Sequence, residues 1–150
     1  MFCSMDEKLD DPAVRNLVNE SAGDRSTEIL DRKMADFRRR EDFNLYGWVE
    51  DNAVLGVCGV EIHPDWVEIF NIAVDPSARK RGIGRAMVTA VQEKYKTTIK
   101  AETDVGAVEF YRKCGFETEG FMKTYSSGEC QRYECVLHFT RSNGDCVSGS

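Results

Sequence analysis

Phe70 to Arg85 reads Phe-Asn-Ile-Ala-Val-Asp-Pro-Ser-Ala-Arg-Lys-Arg-Gly-Ile-Gly-Arg. It is an apolar strand, a break at proline, and a basic glycine loop that runs directly into a helix. The glycines let the backbone approach a ligand and adopt φ > 0 where that is required. The first amides of the following helix have no carbonyl partner within it, and the helix dipole favours an anion there. Arg79, Lys80, Arg81 and Arg85 place four cations in seven residues on the same junction. The helix itself is marked by Ile83, Ala86, Met87, Ala90 and Val91, spaced as one buried face. The junction therefore predicts a site for a phosphate-bearing ligand at the carboxyl end of a strand.

Outward from this point, Trp66 to Val74 is the strand that feeds the loop. Before it, Phe43 to Val49 and Val54 to Ile62 read as strands joined by a turn at Asp51-Asn52. In the second of these, Val54, Cys58, Val60 and Ile62 are expected on one face. Pro12 to Ser21 and Ser26 to Arg40 are expected helices, joined by Ala22-Gly23-Asp24, with Ser26 as the N-cap of the second and Glu28 in its first turn. After the long helix come a short strand, Thr98 to Thr103, and a helix in which Ala107, Phe110, Tyr111 and Cys114 keep helical spacing before a stop at Gly115. Phe116 to Tyr125 and Gln131 to Phe139 close the chain as a hairpin around Ser126-Ser127-Gly128. Met1 to Met5 is too short, and too soon followed by Asp6-Glu7-Lys8, to make a convincing strand, so a first strand is vestigial or absent and its presence is left open. Arg141 to Ser150 has no periodicity and is expected as a disordered tail after a single domain spanning 1–140. This order predicts an α+β fold around a mixed, mostly antiparallel central sheet flanked by helices.

A chain of 150 residues can bury roughly 70% of its unfolded surface without staples. Forty-one per cent hydrophobic residues and only three prolines argue for a packed globule. No apolar run approaches a membrane span, and the N-terminus lacks the basic and apolar regions of a signal peptide, so a soluble, cytoplasmic protein with no membrane partner is expected. Six cysteines form no C-x-x-C pair and the two histidines, His63 and His138, are far apart, so no metal site is expected. Cys58 and Cys135 read as small buried hydrophobes of a reducing compartment. The net charge of −6 opposes nucleic-acid binding, as does the lack of an aromatic stacking platform. Arg38-Arg39-Arg40 reads as a solvated face that complements a helix dipole.

A P-loop is excluded because no G-x-x-x-x-G-K-[ST] occurs, and a dinucleotide fingerprint fails because Met87 occupies the third glycine position. The chain instead resembles the GNAT superfamily of acyl-CoA-dependent N-acyltransferases, over roughly Phe43 to Phe139. The motif [QR]-x-x-G-x-[GA] stands as Arg79-Lys80-Arg81-Gly82-Ile83-Gly84, and Phe-Asn-Ile-Ala-Val-Asp-Pro resembles the strand of ribosomal-protein alanine N-acetyltransferases. Ala107 to Phe116 matches a second motif, [AFY]-x-x-[FL]-Y-x-x-x-G-F.

The resemblance implies that the strands 66–74 and 98–103 splay apart and admit the pantetheine arm of acetyl-CoA. Backbone groups of Ile72, Ala73 and Val74 would line that arm, Ile72 and Val74 pairing with it like an added strand. Amides and cations of Arg79, Lys80, Arg81, Gly82, Ile83, Gly84 and Arg85 would cradle the pyrophosphate. Asp104 takes a position that usually holds Asn near the cofactor, and it serves equally as a cap of the helix after it. The implied reaction is direct attack of a primary amine on the thioester through a tetrahedral intermediate. Tyr111 would be general acid to the leaving thiolate, the Val74 amide the oxyanion donor, and Glu68 the general base. A water chain, Glu61 or His63 are alternatives to Glu68. The acceptor, a small-molecule or peptide amine, is expected in a groove bearing Glu20, Asp24, Glu28, Asp31, Tyr125 and Glu129, whose acidity suits a cation. A homodimer is open. A non-catalytic acyl-CoA-binding or sensing domain is the competing reading, to be separated from the enzyme by amine-dependent thiol release.

Overall fold

A computed structural model describes residues 1–20 and 27–140, so the expected Ser26 cap, the 22–24 joint and the 141–150 tail lie outside the described residues. Seven strands form one sheet in the order β1-β2-β3-β4-β5-β7-β6: β1 (Phe2–Ser4), β2 (Phe43–Glu50), β3 (Ala53–Ile62), β4 (Trp66–Val74), β5 (Thr98–Asp104), β6 (Glu117–Tyr125) and β7 (Gly128–Leu137). Among the described residues only β4 and β5 pair in parallel. Helices α1 (Pro12–Glu20) and α2 (Thr27–Arg39) lie on one face, over a core that includes Val14, Val18, Met34, Phe37 and Leu45. Helices α3 (Ile83–Tyr95) and α4 (Val108–Lys113) cover the other, over Cys58, Val60, Ile69, Met87 and Tyr111.

The N-terminal residues form a short first strand, which the sequence left open. Phe2, Cys3 and Ser4 pair antiparallel with Trp48, Gly47 and Tyr46. Phe2 stacks on Tyr46 with ring centroids 5.0 Å apart, and Met5 is fully buried. Gly47 permits this, because a Cβ there would stand 2.7 Å from the Met5 sulfur. Three residues are too few to show a period, so two anchors and a glycine on another strand make this edge.

Two bulges rewrite the expected strand faces. Trp48 pairs with Gly56 and Val49 with Val54, leaving Leu55 as the extra residue of β3. Val54 consequently joins the core beneath α1 and α2, while Cys58, Val60 and Ile62 face α3. The expected common face of Val54 with those three is therefore wrong, since one inserted residue inverts the alternation. On β4, Asn71 pairs with Gly59 and Ile69 with Val60, leaving Phe70 unpaired. Phe70 then packs on Phe37 and Phe43 at centroid distances of 5.7 and 5.0 Å.

Along α3 the buried stripe is Ile83, Gly84, Met87, Val88 and Val91. It is rotated from the expected one, with Ala86 and Ala90 at its margin. Gly84 draws the helix inward: a Cβ there would meet the Phe110 ring at 2.8 Å.

Candidate functional site

The strands β4 and β5 pair at only three positions, Trp66 with Thr98, Val67 with Ile99 and Glu68 with Lys100. The bulge at Phe70 follows two residues later, and a bulge bends and twists its strand. Strand β5 continues instead along β7, from Ile99 to Asp104. Between the parted strands lies a cleft of about 1310 Å³, lined from β4 by Ile69 to Val74 and from β5 by Glu102, Thr103 and Asp104. The splay expected from the resemblance is present, and it follows the bulge at Phe70.

The edge that β4 turns to this cleft follows from the ladder. Successive residues of a strand present their backbone groups to opposite edges. The Asp75 amide donates to Leu55 O on β3 at 2.8 Å, so Ala73 also faces β3, while Ile72 and Val74 face the opening. The Val74 carbonyl already accepts from Arg79 Nε at 3.1 Å.

Below Val74, Asp75 accepts from the Ser77 amide at 2.9 Å and its hydroxyl at 2.6 Å, which closes the proline turn. Lys80 and Gly82 have φ of 65° and 79°, both left-handed. Gly82 caps α3 with no side-chain hydrogen bond, and the first turn's contact is Ala86 N to Gly82 O. The amides of Ile83, Gly84 and Arg85 thus find no acceptor among the described residues, and all three residues line the cleft. Arg79, Lys80 and Gly82 line it too. Arg81 does not: its guanidinium turns away to Glu50 at 2.7 Å.

On the far wall, Tyr111 is 6% exposed, and its ring stands edge-on to Phe110 and Phe116 at 5.1 and 5.2 Å. Burial pushes its phenol well above the ordinary value, so it stays protonated at neutral pH. Asp104 accepts from the Gly106 and Ala107 amides at 3.0 and 3.1 Å. Its carboxylate is therefore committed to the turn entering α4, although the residue lines the cleft.

Glu68 lies off this cleft. It lines an adjoining cavity of about 420 Å³ with Trp66, Lys100, Glu102, Phe121 and Glu134, and Glu102 is shared between the two spaces. Burial, then the charge of Glu61, raises the Glu68 carboxyl. His63 Nε2 stands 3.7 Å from Glu61 and 3.8 Å from Glu68. The three donor atoms fall within 4.8 Å of one another, close enough to share a cation, but Arg40 already brings positive charge to Glu61 at 3.3 Å.

The expected acidic groove is only partly assembled. Glu20 and Tyr125 line the cleft, whereas Asp31 is bound to Arg15 at 2.5 Å and does not, nor do Glu28 and Glu129. Asp24 lies outside the described residues. Lys33 and Arg132 also line the cleft, so its charge is mixed. Burial lowers the Lys33 ammonium. Sequence reasoning passed over Lys33, Asn71, Glu102 and Arg132. Only Asn71 carried a signal, as an amide in an apolar strand. It is 2% exposed and donates to Val18 O at 3.1 Å, which ties α1 to β4.

A mixed sheet parted beside a helix N-terminus, with free amides on one wall and a buried phenol on the other, defines a class of acyl-transfer folds. Residues 12–116 match the model of the acetyltransferase (GNAT) family, and the chain belongs to that family. It is an acetyltransferase. The chain is 31% identical over 101 residues to an uncharacterised N-acetyltransferase in the lysA 3′ region of Bacillus methanolicus, covering 65% of this chain and 84% of that one. Its fold is similar to that of the ribosomal-protein-S18-alanine N-acetyltransferase of Escherichia coli, with a TM-score of 0.73, 18% identity, and 95% and 96% of the two chains covered. It is also similar to a GNAT family acetyltransferase of Elizabethkingia anophelis with acetyl-CoA bound, with a TM-score of 0.67, 19% identity, and 92% and 97% covered. Among the described residues no helix is long and apolar enough to cross a membrane.

Proposed function

We propose that the protein transfers an acetyl group from acetyl-CoA to a primary amine of a small molecule or peptide by direct attack. The observation that carries this reading is the free edge of β4 at Ile72 and Val74, which leads straight to the unpaired amides of Ile83, Gly84 and Arg85. An amide-bearing arm suits the first and a pyrophosphate the second. Gly82 has room for a ligand beside it: nothing stands within 4 Å of where a Cβ would be.

Acetyl-CoA supplies the activated acyl carbon and a thiolate leaving group. Glu68, with its carboxyl raised by burial, stands in the adjoining cavity and takes the amine's proton through intervening water. The Val74 amide, which faces the opening, donates to the carbonyl oxygen as charge grows on it. Tyr111 keeps its proton and offers it to the departing sulfur. Lys33 and Arg132 line the cleft as Glu20 does, and this mixed charge favours an acceptor that is not purely positive. Free thiols at all five described cysteines support a cytoplasmic setting, and the protein is taken as one domain over 1–140.

Calorimetric titration with acetyl-CoA, followed by a thiol-release assay over an amine panel, tests the reading. Binding with amine-dependent release supports it. Absence of CoA binding refutes the site, and binding with no turnover on any amine refutes the amine-transfer step.

A further inference from the structure

We propose that Glu61, His63 and Glu68 form a site for a divalent metal of the zinc type, at the β3–β4 turn. When filled, the site takes the Glu68 carboxylate out of the reaction. That second part rests on Glu68 being the base, and the first part does not.

The ladder brings the three donors together. Side chains two positions apart on extended chain share a face, which places His63 beside Glu61. Glu68 stands directly opposite Glu61 in the β3–β4 register. His63 Nε2 is 3.7 Å from Glu61 Oε1 and 3.8 Å from Glu68 Oε1, and the three donor atoms fall within 4.8 Å of one another. The centre of such a triangle lies about 2.2–2.4 Å from each corner, against about 2.0–2.2 Å for zinc to imidazole nitrogen or carboxylate oxygen. Small side-chain adjustments close that difference.

The imidazole supplies an independent sign. Its Nε2 is shut off from solvent and has no hydrogen-bond partner among the described residues. A shielded polar atom left so is costly. At 3.7 and 3.8 Å the carboxylates are too far to accept a hydrogen bond from it, whereas a small cation set between them meets all three donors. Glu61 and Glu68 are also like charges in opposed positions, a destabilising arrangement that a dication reverses.

The donors sit on a rigid frame. His63 stacks on Trp66 at 4.5 Å with planes 15° apart, and its amide donates to Trp66 O at 2.9 Å. Lys100 Nζ lies 4.4 Å over the Trp66 ring. Arg40 meets Glu61 through Oε2 at 3.3 Å and Asp42 at 2.7 Å, which leaves Glu61 Oε1 to the site. Glu68 is 38% exposed and lines the cavity of about 420 Å³, which offers an entry path and room for water as a fourth ligand. One imidazole with two carboxylates suits zinc, nickel or cobalt, while magnesium prefers an octahedral shell of oxygens. Sequence spacing gave no sign of the site, because Glu-x-His on one strand is completed by a single Glu across the ladder.

The test is calorimetric titration of tag-free protein with Zn²⁺, with Mg²⁺ as the control. Zinc binding is expected, with magnesium far weaker. His63→Phe keeps a ring on Trp66 and removes the nitrogen, and Glu61→Gln removes one charged oxygen donor. Each is expected to lower zinc affinity at least about tenfold. Absence of zinc binding overturns the site, and so does binding that both variants leave unchanged, which would place the metal on a cysteine. Saturating zinc is expected to lower kcat about tenfold or more, with acetyl-CoA affinity unchanged and EDTA restoring the rate. Acetylated product is followed directly, because a released thiol binds zinc. Full activity of the zinc-loaded protein overturns the regulatory part. Metal-free Glu68→Gln at the wild-type rate would remove the base assignment alone, and the zinc titration would still decide the site.

Discussion

Replacing Tyr111 by Phe separates chemistry from packing, because the two predict effects of different size and direction. The ring is held by Phe110 and Phe116 and by burial to 6% exposure, and Phe keeps all of that. Burial dominates the shift of its hydroxyl, with no hydrogen bond contributing. Removing a hydroxyl that makes no hydrogen bond among the described residues and opens on the cleft should change stability by no more than about 1 kcal/mol. For a chain of this size that is roughly 2–4 °C in Tm. A proton donor to the leaving group, by contrast, is worth about 10²- to 10⁴-fold in kcat, or roughly 3–5 kcal/mol of barrier. Thiol release at saturating acetyl-CoA, CoA titration and thermal unfolding measure the three quantities on one preparation. A wild-type kcat would refute the donor assignment, and a loss of stability beyond about 2 kcal/mol would mean the hydroxyl holds the fold instead. The pH dependence has a defined sign. The folded-state phenol is raised above its ordinary 10.0, so its contribution is intact below pH 10 and is lost as pH rises beyond, where the unfolded chain ionises first. Tyr111→Phe should therefore blunt alkaline unfolding.

Three further outcomes are expected. Glu68→Gln should lower kcat yet raise Tm at neutral pH, since the folded carboxyl is raised from 4.5 and its ionised form is disfavoured beside Glu61; the gain should vanish below pH 4.5, where both states are protonated. A Tm that falls at neutral pH would contradict the like-charge account. Gly82→Glu places a β-carbon at φ 79°, a strain of about 1–2 kcal/mol, and sets a carboxylate beside the unpaired amides. Isothermal titration should show CoA affinity reduced about tenfold or more, and unchanged affinity would dissolve the pyrophosphate site. Asp104→Ala removes the acceptor for two amides and should cost about 1 kcal/mol in denaturant unfolding, with Asp104→Asn largely restoring it.

The linear order of apolar periods, the proline break and the glycine loop were enough to determine that a strand hands on to a helix at Gly82, and β4 runs from Trp66 to Val74 as expected. Those are local properties: each depends on residues within a few positions, where φ preference and side-chain period act directly. The closing hairpin was legible for the same reason, its β7 beginning at Gly128, three residues before the expected Gln131. What periodicity does not carry is pairing. The strand at Phe2–Ser4 exists because Gly47 leaves room for Met5, and the inverted face of Val54 follows from Leu55 being unmatched across β2. The same holds for the site. The motifs named Tyr111 and the loop, but the opening between β4 and β5 depends on Phe70 finding no partner on β3 and packing on Phe37 and Phe43. Whether Arg81 reaches the cleft was decided by Glu50 on a distant strand, and the meeting of Glu61, His63 and Glu68 by the β3–β4 register. Local chemistry chose which residues can act, and only the packing of strands far apart in the chain chose which of them meet.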